Sequence, residues 1–231
     1  MKDVLGQAIS DHFHGTSSGK LWVNNKYGPR EEMPVDVYFR DMDDMPELEW
    51  IALQHCRGKI LDIGAGAGSH TLALQQMGQD CTALEISPLS AAVIKARGVQ
   101  QIIQDDFFQW RGGPYDTLLL MMNGIGLSGT LDGLRIFLAR ARNLLRSDGQ
   151  LIFDTSDIAY LYGGQPPELP DYYGEILYQY EYKKQRGDWF NWLFIDLNTL
   201  TRITAEEGWQ IEPLFTEASD QFLVKCTLLQ G

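Results

Sequence analysis

The sequence is poor in the residues that build cross-links and metal sites. It has three cysteines, Cys56, Cys81 and Cys226, widely spaced and without a CxxC pair. An odd count at such spacings excludes a disulfide framework and a cysteine zinc site. There are four histidines, with no HExxH and no Cys/His cluster, so no metal is expected. No stretch approaches the ~18 apolar residues of a membrane helix. Met1 to Asp11 lacks the apolar run of a secretory signal, so no membrane partner and a cytoplasmic location are expected. Positive charge is also scarce: 19 Lys and Arg stand against 31 Asp and Glu, a formal net charge of −12. Nucleic-acid binding rests on Lys and Arg neutralising phosphates, so such a partner is not expected. The nearest basic cluster, Lys183, Lys184 and Arg186, reads as a hairpin tip. No internal repeat, low-complexity segment or GxSxG nucleophile elbow occurs, and nothing in the pattern bears on oligomeric state.

What is present suits a globular α/β protein. At 231 residues and 44% hydrophobic, the chain is long enough for one large domain and short for two. Residues 1–45 are polar and broken by Gly15, Gly19, Gly28, Pro29 and Pro34, and read as an irregular arm or short helices. From 46 onward one domain is expected, with an insertion at about 156–195. Pro46 starts a helix that Gly58 closes. Short apolar strands then alternate with helices. The strands are Lys59–Ile63, Asp80–Glu85, Gln100–Gln104, Tyr115–Met121 and Gly149–Thr155. Helices fall at Ser69–Met77, Pro88–Arg97 and along Leu131, Leu134, Leu138, Ala141 and Leu145, the last recurring at three and four and stopped by Gly149. The continuous run Leu118-Leu119-Leu120-Met121-Met122 suits a strand buried on both faces.

Residues 156–174 interrupt the rhythm with Gly163-Gly164, Pro166-Pro167 and four tyrosines. Ile176–Tyr182 and Trp189–Ile195 then read as an antiparallel hairpin. Asp196 caps a helix ending at Gly208, and Trp209–Phe215 and Gln221–Leu228 form a last antiparallel pair. The fold class is α/β: a doubly wound, mostly parallel seven-stranded sheet with an antiparallel last strand and helices on both faces, plus an extra hairpin and an N-terminal arm.

One run concentrates the chemistry. Ile60-Leu61-Asp62-Ile63-Gly64-Ala65-Gly66-Ala67-Gly68-Ser69 is strand, glycine turn, helix. Glycines allow the tight turn and leave no Cβ between backbone and ligand, and the next helix presents free N–H groups. Glu85 ends the second strand, where a carboxylate accepts hydrogen bonds from ribose hydroxyls. Asp105-Asp106-Phe107 follows the third. A glycine turn alone also serves as a turn without a ligand. A dinucleotide is the rival cofactor, but its fingerprint is GxGxxG, whereas here the third glycine comes one residue early.

These residues resemble the class I S-adenosylmethionine-dependent methyltransferases, strongly over about 45–155 and by order of elements over 176–228. The resemblance implies S-adenosylmethionine as cofactor and methyl transfer as reaction. It implies that Asp62 and the turn Gly64, Ala65, Gly66 and Gly68 lie along the methionine part. Glu85, with Ile86 beside it, holds the ribose. Asp106 or Asp105 contacts the adenine amino group, with Phe107 beside the ring. Asn123, at the end of the fourth strand, falls near the transferred methyl or serves as a turn residue. A non-catalytic cofactor-binding protein and an NAD-dependent oxidoreductase are the alternatives.

The family has no universal catalytic residue, because alignment and desolvation do most of the work, and none is legible here. Amino-methylating nucleic-acid enzymes carry Asn or Asp followed by Pro-Pro and an aromatic at this strand end. Asn123-Gly124-Ile125-Gly126 departs from that, which with the acidic charge counts against adenine or cytosine amino methylation; a small-molecule acceptor is expected, and on protein methylation the sequence is silent. Trp22, Tyr27, Tyr38, Tyr160, Tyr162, Tyr172 and Tyr173 are candidates for an aromatic lid over it. Removing residues 1–30 is expected to impair acceptor turnover more than cofactor affinity. His12 and His14 in the arm, and His70, read as polar surface residues. Asp154 and Asp157 either face the acceptor or cap a loop.

Overall fold

The computed structural model describes residues 2–16, 19–166, 171–217 and 220–229. Pro167 of the expected Pro166-Pro167 turn lies outside them. In chain order the elements are α1 (Val4–Phe13), β1 (Leu21–Asn25), β2 (Glu31–Met33), α2 (Glu47–His55), β3 (Lys59–Ile63), α3 (Ser69–Gln76), β4 (Asp80–Glu85), α4 (Pro88–Ala96) and β5 (Ile102–Gln104). Then follow β6 (Tyr115–Leu120), α5 (Leu131–Leu144), β7 (Leu145–Ser156), β8 (Glu175–Tyr182), β9 (Gln185–Arg186), β10 (Phe190–Leu193), α6 (Leu197–Glu206), β11 (Trp209–Thr216) and β12 (Gln221–Leu228).

Seven strands form a sheet in the order β11-β12-β7-β6-β3-β4-β5. The pairs β4·β5 and β6·β7 are parallel, while β12 runs against both β7 and β11. This is the mostly parallel sheet with an antiparallel end strand that the pattern indicates. Leu118, Leu119 and Leu120 of β6 are fully buried, as a strand covered on both faces requires. The helix starts are local chemistry. Ser87, Thr130 and Asp196 each accept an N–H three residues on, capping α4, α5 and α6.

The chain divides into two compact units. The first comprises Met1–Met45, Asp62–Trp110 and Leu177–Phe190. One of its cores joins Ala65, Ala83, Ile94 and Val99. Another joins Ile9 of α1 to Ala67 of the glycine turn and Val93 of α4, with Tyr38 and Phe39 against it. The second unit comprises Pro46–Leu61, Arg111–Ile176 and Asn191–Gly231. In it α5 buries Leu134, Phe137, Leu138, Ala141 and Leu144.

Two expectations need correction. The arm carries short helices, α1 among them, as one of the two readings allows, but also two strands that neither reading includes: β1 pairs antiparallel with β2 and with β8. The expected hairpin is thereby part of a second sheet ordered β10-β8-β1-β2, with β9 also on β8. Only Leu21 and Val23 alternate inward in β1, too short a pattern to announce a strand whose partner lies about 150 residues away. Gly149 does not stop α5. The helix ends at Leu144, Leu145 is already extended, and Gly149 sits inside β7.

Candidate functional site

The chemistry-bearing residues of the first unit converge where β3 and β4 end. The chain leaves β3 through Gly64, Gly66 and Gly68, whose φ values are 71°, 61° and 82°, a region that residues bearing a Cβ avoid. Gly64 N–H donates to Leu84 O at 2.9 Å and Gly68 N–H to Ala65 O at 2.7 Å, closing the turn against β4. A Cβ on Gly64 would meet nothing within 4 Å, so this backbone faces open space. A Cβ on Gly66 would stand 3.1 Å from the ring of Tyr38.

Two buried carboxylates flank the turn. Asp62 is 2% exposed and accepts the Thr71 hydroxyl at 2.6 Å. Burial pushes its pKa up, against the pull of His70 and Thr71. Glu85 accepts Gly66 N–H at 2.8 Å on one oxygen and Ser87 N–H at 2.9 Å on the other. Burial also pushes Glu85 up. The two amides pull it down, and the nearby charges of Asp3 and Asp62 raise it further.

Ile86, next along, is 65% exposed. The β4·β5 register sets Glu85 opposite Gln104, so Ile86 and Asp105 emerge from adjacent strand ends. Asp105 accepts Asp106 N–H at 2.8 Å and Asp106 accepts Phe108 N–H at 2.9 Å. Phe107 is buried, its ring edge-on to Phe108.

Asn123 belongs to the second unit. It is left-handed, with φ 56° after Met122 at 61°. Its N–H points at both oxygens of buried Asp154, each at 2.9 Å, and its Nδ2 donates to Leu193 O at 3.1 Å. Its Oδ1 is buried with no hydrogen-bond partner among the described residues. Asp154 thus holds the Asn123 backbone, with Gln221 on one of its oxygens. Asp157 caps the next turn through Ala159 N–H and accepts the Tyr173 hydroxyl at 2.6 Å.

The lid candidates separate. Trp22 lies in β1 with the Arg30 guanidinium 4.2 Å above its ring, and Tyr27 and Tyr160 are exposed. Tyr162, Tyr172 and Tyr173 cluster in the second unit, where the Tyr172 hydroxyl donates to Asp196 at 2.6 Å. Tyr38 lies on Gly66, its hydroxyl hydrogen-bonded to that of Tyr180 near Glu85. Burial pushes Tyr38 up to about 12. His70 is buried rather than at the surface, because the first turn of α3 packs inward.

Sequence reasoning passed over Tyr180, Asp3 and Arg97. Tyr180 arrives through the β1·β8 pairing, which no local signal announces. Arg97 donates to Ala67 O at 2.7 Å and to the Ser69 hydroxyl at 3.1 Å, bracing the turn from behind. A cation closing α4 was the available signal.

A mostly parallel sheet with a reversed strand near one edge, a glycine turn after β3 and a buried acid ending β4 mark a fold that binds a nucleoside cofactor. Comparison with known proteins makes this specific. A family model described as a methyltransferase domain matches residues 61–153. The chain is similar to a solved SAM-dependent methyltransferase from Bacteroides fragilis in complex with S-adenosyl-L-homocysteine. Identity is 39% over 99% of this chain and 96% of that one, with a TM-score of 0.92. It shares its fold with a methyltransferase from Streptomyces caelestis at 14% identity, covering 84% and 96% of the two chains, TM-score 0.63. It also shares it with a sugar N-methyltransferase from a Streptoalloteichus species at 16% identity, covering 90% and 97%, TM-score 0.60. No curated protein matches the sequence. The chain belongs to the S-adenosylmethionine-dependent methyltransferases. It is an enzyme, and its methyl donor is S-adenosylmethionine.

Proposed function

We propose that this enzyme transfers the methyl group to a small organic acceptor, at nitrogen, oxygen or carbon, and that the first unit holds the cofactor. The donor brings a methyl already activated on a sulfonium. The chain's own task is to bind, orient and exclude water.

Glu85 is the ribose ligand in this reading. Each of its oxygens holds one amide N–H, and a carboxylate oxygen has a second lone pair to offer a hydroxyl. The open backbone at Gly64 gives the methionine part room beside Asp62 and Ala65. Exposed Ile86 offers an apolar surface to the adenine, with Asp105 or Asp106 and Phe107 on its far side. In the second unit, the unsatisfied Oδ1 of Asn123 is an acceptor in search of a donor, which a substrate N–H or O–H would supply.

The observation that carries the small acceptor is the state of the cations. In a chain of net charge −12, Lys183 pairs with Asp11 at 2.6 Å and Arg186 with Glu181 at 2.7 Å. Arg30 joins Glu181, Arg135 joins Glu206 and Glu207, and Lys225 joins Glu212. The hairpin tip that came nearest to a basic cluster is thus largely neutralised, and a phosphate backbone finds little to grip.

The test is to supply methyl-labelled cofactor with a cell extract split into a small-molecule filtrate and a macromolecular fraction. A panel of amines, amino sugars and phenols serves as a further arm. Label should appear in the filtrate. Label confined to protein or nucleic acid contradicts the proposal.

A further inference from the structure

The first helix begins against the cofactor carboxylate. Asp3 caps α1 by accepting Gly6 N–H at 2.9 Å on Oδ1. Its Oδ2 accepts the Ser87 hydroxyl at 2.6 Å. The same Ser87 Oγ accepts Ser90 N–H at 2.9 Å and so caps α4. The Ser87 N–H donates to Glu85 Oε1 at 2.9 Å. One serine therefore fastens two helix starts and one side of Glu85, using its hydroxyl as donor and acceptor together.

Gly6 explains itself in the same geometry. Glycine costs stability inside a helix. A Cβ there would stand 2.2 Å from Ser87 Oγ and 2.4 Å from both Asp3 oxygens. The side chain is missing where the Asp3–Ser87 bond runs.

We propose that Asp3 is a positioning residue for the cofactor site: it fixes Ser87, Ser87 fixes Glu85, and docking of α1 and binding of the cofactor strengthen one another. Coupling of this kind is reciprocal, so cofactor occupancy must hold α1 down as much as α1 aids occupancy. The inference rests on the reading of Glu85 as ribose ligand. A lid acting on the acceptor alone would leave cofactor affinity indifferent to Asp3.

The experiment is calorimetric titration of S-adenosylhomocysteine into the wild type, Asp3→Asn, Glu85→Gln and the double variant. Asparagine caps a helix as well as aspartate, but its amide nitrogen cannot accept the Ser87 hydroxyl. Asp3→Asn should weaken binding roughly tenfold, the scale of one lost charge-assisted hydrogen bond. It should add little in the Glu85→Gln background. Equal losses in both backgrounds, or no loss, overturn the proposal. If Glu85→Gln binds like the wild type, the ribose reading itself falls.

Charge gives a readout that a purely structural role would not move. The charged groups acting on Glu85 are Asp3 and Asp62, and its neighbours Tyr38 and Tyr180 are held neutral by burial. Removing the Asp3 charge should shift the acid limb of binding to lower pH; an unmoved limb counts against the relay. Gly6→Ala drives a methyl into the same bond with both partners left unsubstituted and should also weaken binding; unchanged affinity contradicts the account. In the wild type, S-adenosylhomocysteine should slow hydrogen exchange of the α1 amides, and exchange unaffected by ligand overturns the coupling.

Discussion

Glu85 sits in a closed environment that disfavours its charged form, the form best suited to accept two hydroxyls in the proposed ribose role. Its folded pKa lies above the ordinary 4.5. For a carboxylate raised in this way, the neutral form is the comfortable one. Its contribution to stability is fully present below 4.5 and is lost as pH rises through the raised folded value. On the proposed reading of Glu85 as ribose ligand, cofactor binding runs the opposite way, because the ionised carboxylate is the form that accepts two hydroxyls. Affinity for S-adenosylhomocysteine should therefore fall on acidification with a midpoint above 4.5. Calorimetry across the acid range checks this. Glu85→Gln should flatten the dependence, leaving what Asp62 contributes. Most of these residues were legible: Asp62, the glycines and Glu85 follow from motif spacing, because backbone chemistry dictates them locally. Tyr180 and Asp3 were not, since their roles arise from contacts between segments far apart in sequence.

The elements follow local rules wherever one face meets a core. α5 repeats its apolar residues at three and four and starts on Thr130; α6 starts on Asp196, whose Oδ1 accepts Thr199 N–H at 2.9 Å. Leu138 is fully buried, so Leu138→Ala should cost about 2–5 kcal/mol. Asp196→Ala removes a helix cap and the partner of Tyr172, and should cost about 1 kcal/mol or somewhat more. Urea denaturation measures both, and near-zero values would show that these contacts are not formed in solution. The spans of β3, β4 and β12 were readable to the residue because turns bracket them. The arm's strands were not, since β1 is stabilised by ladders to β2 and β8 rather than by its own composition. The end of α5 was misplaced because Gly149 looks like a stop while Leu145 already turns extended.

At the scale of the molecule, the charge of −12 and the order of strands act on different questions. Alternating strands and helices call for a parallel sheet, and the sequence carries that plainly, while the order of the strands is a property of the fold. The second sheet is a global feature, assembled from the arm and the insertion, and only folding brings it together. Acidic charge bears on partners rather than fold, and it is one of the supports for the proposed small acceptor. The central claim is that the glycine turn and Glu85 of the first unit hold the cofactor. A crystal structure with S-adenosylhomocysteine bound tests it most directly. The account predicts the ribose hydroxyls on the Glu85 carboxylate and the adenine against Ile86. Density for the nucleoside away from Glu85 and the turn at Gly64–Gly68 would contradict it.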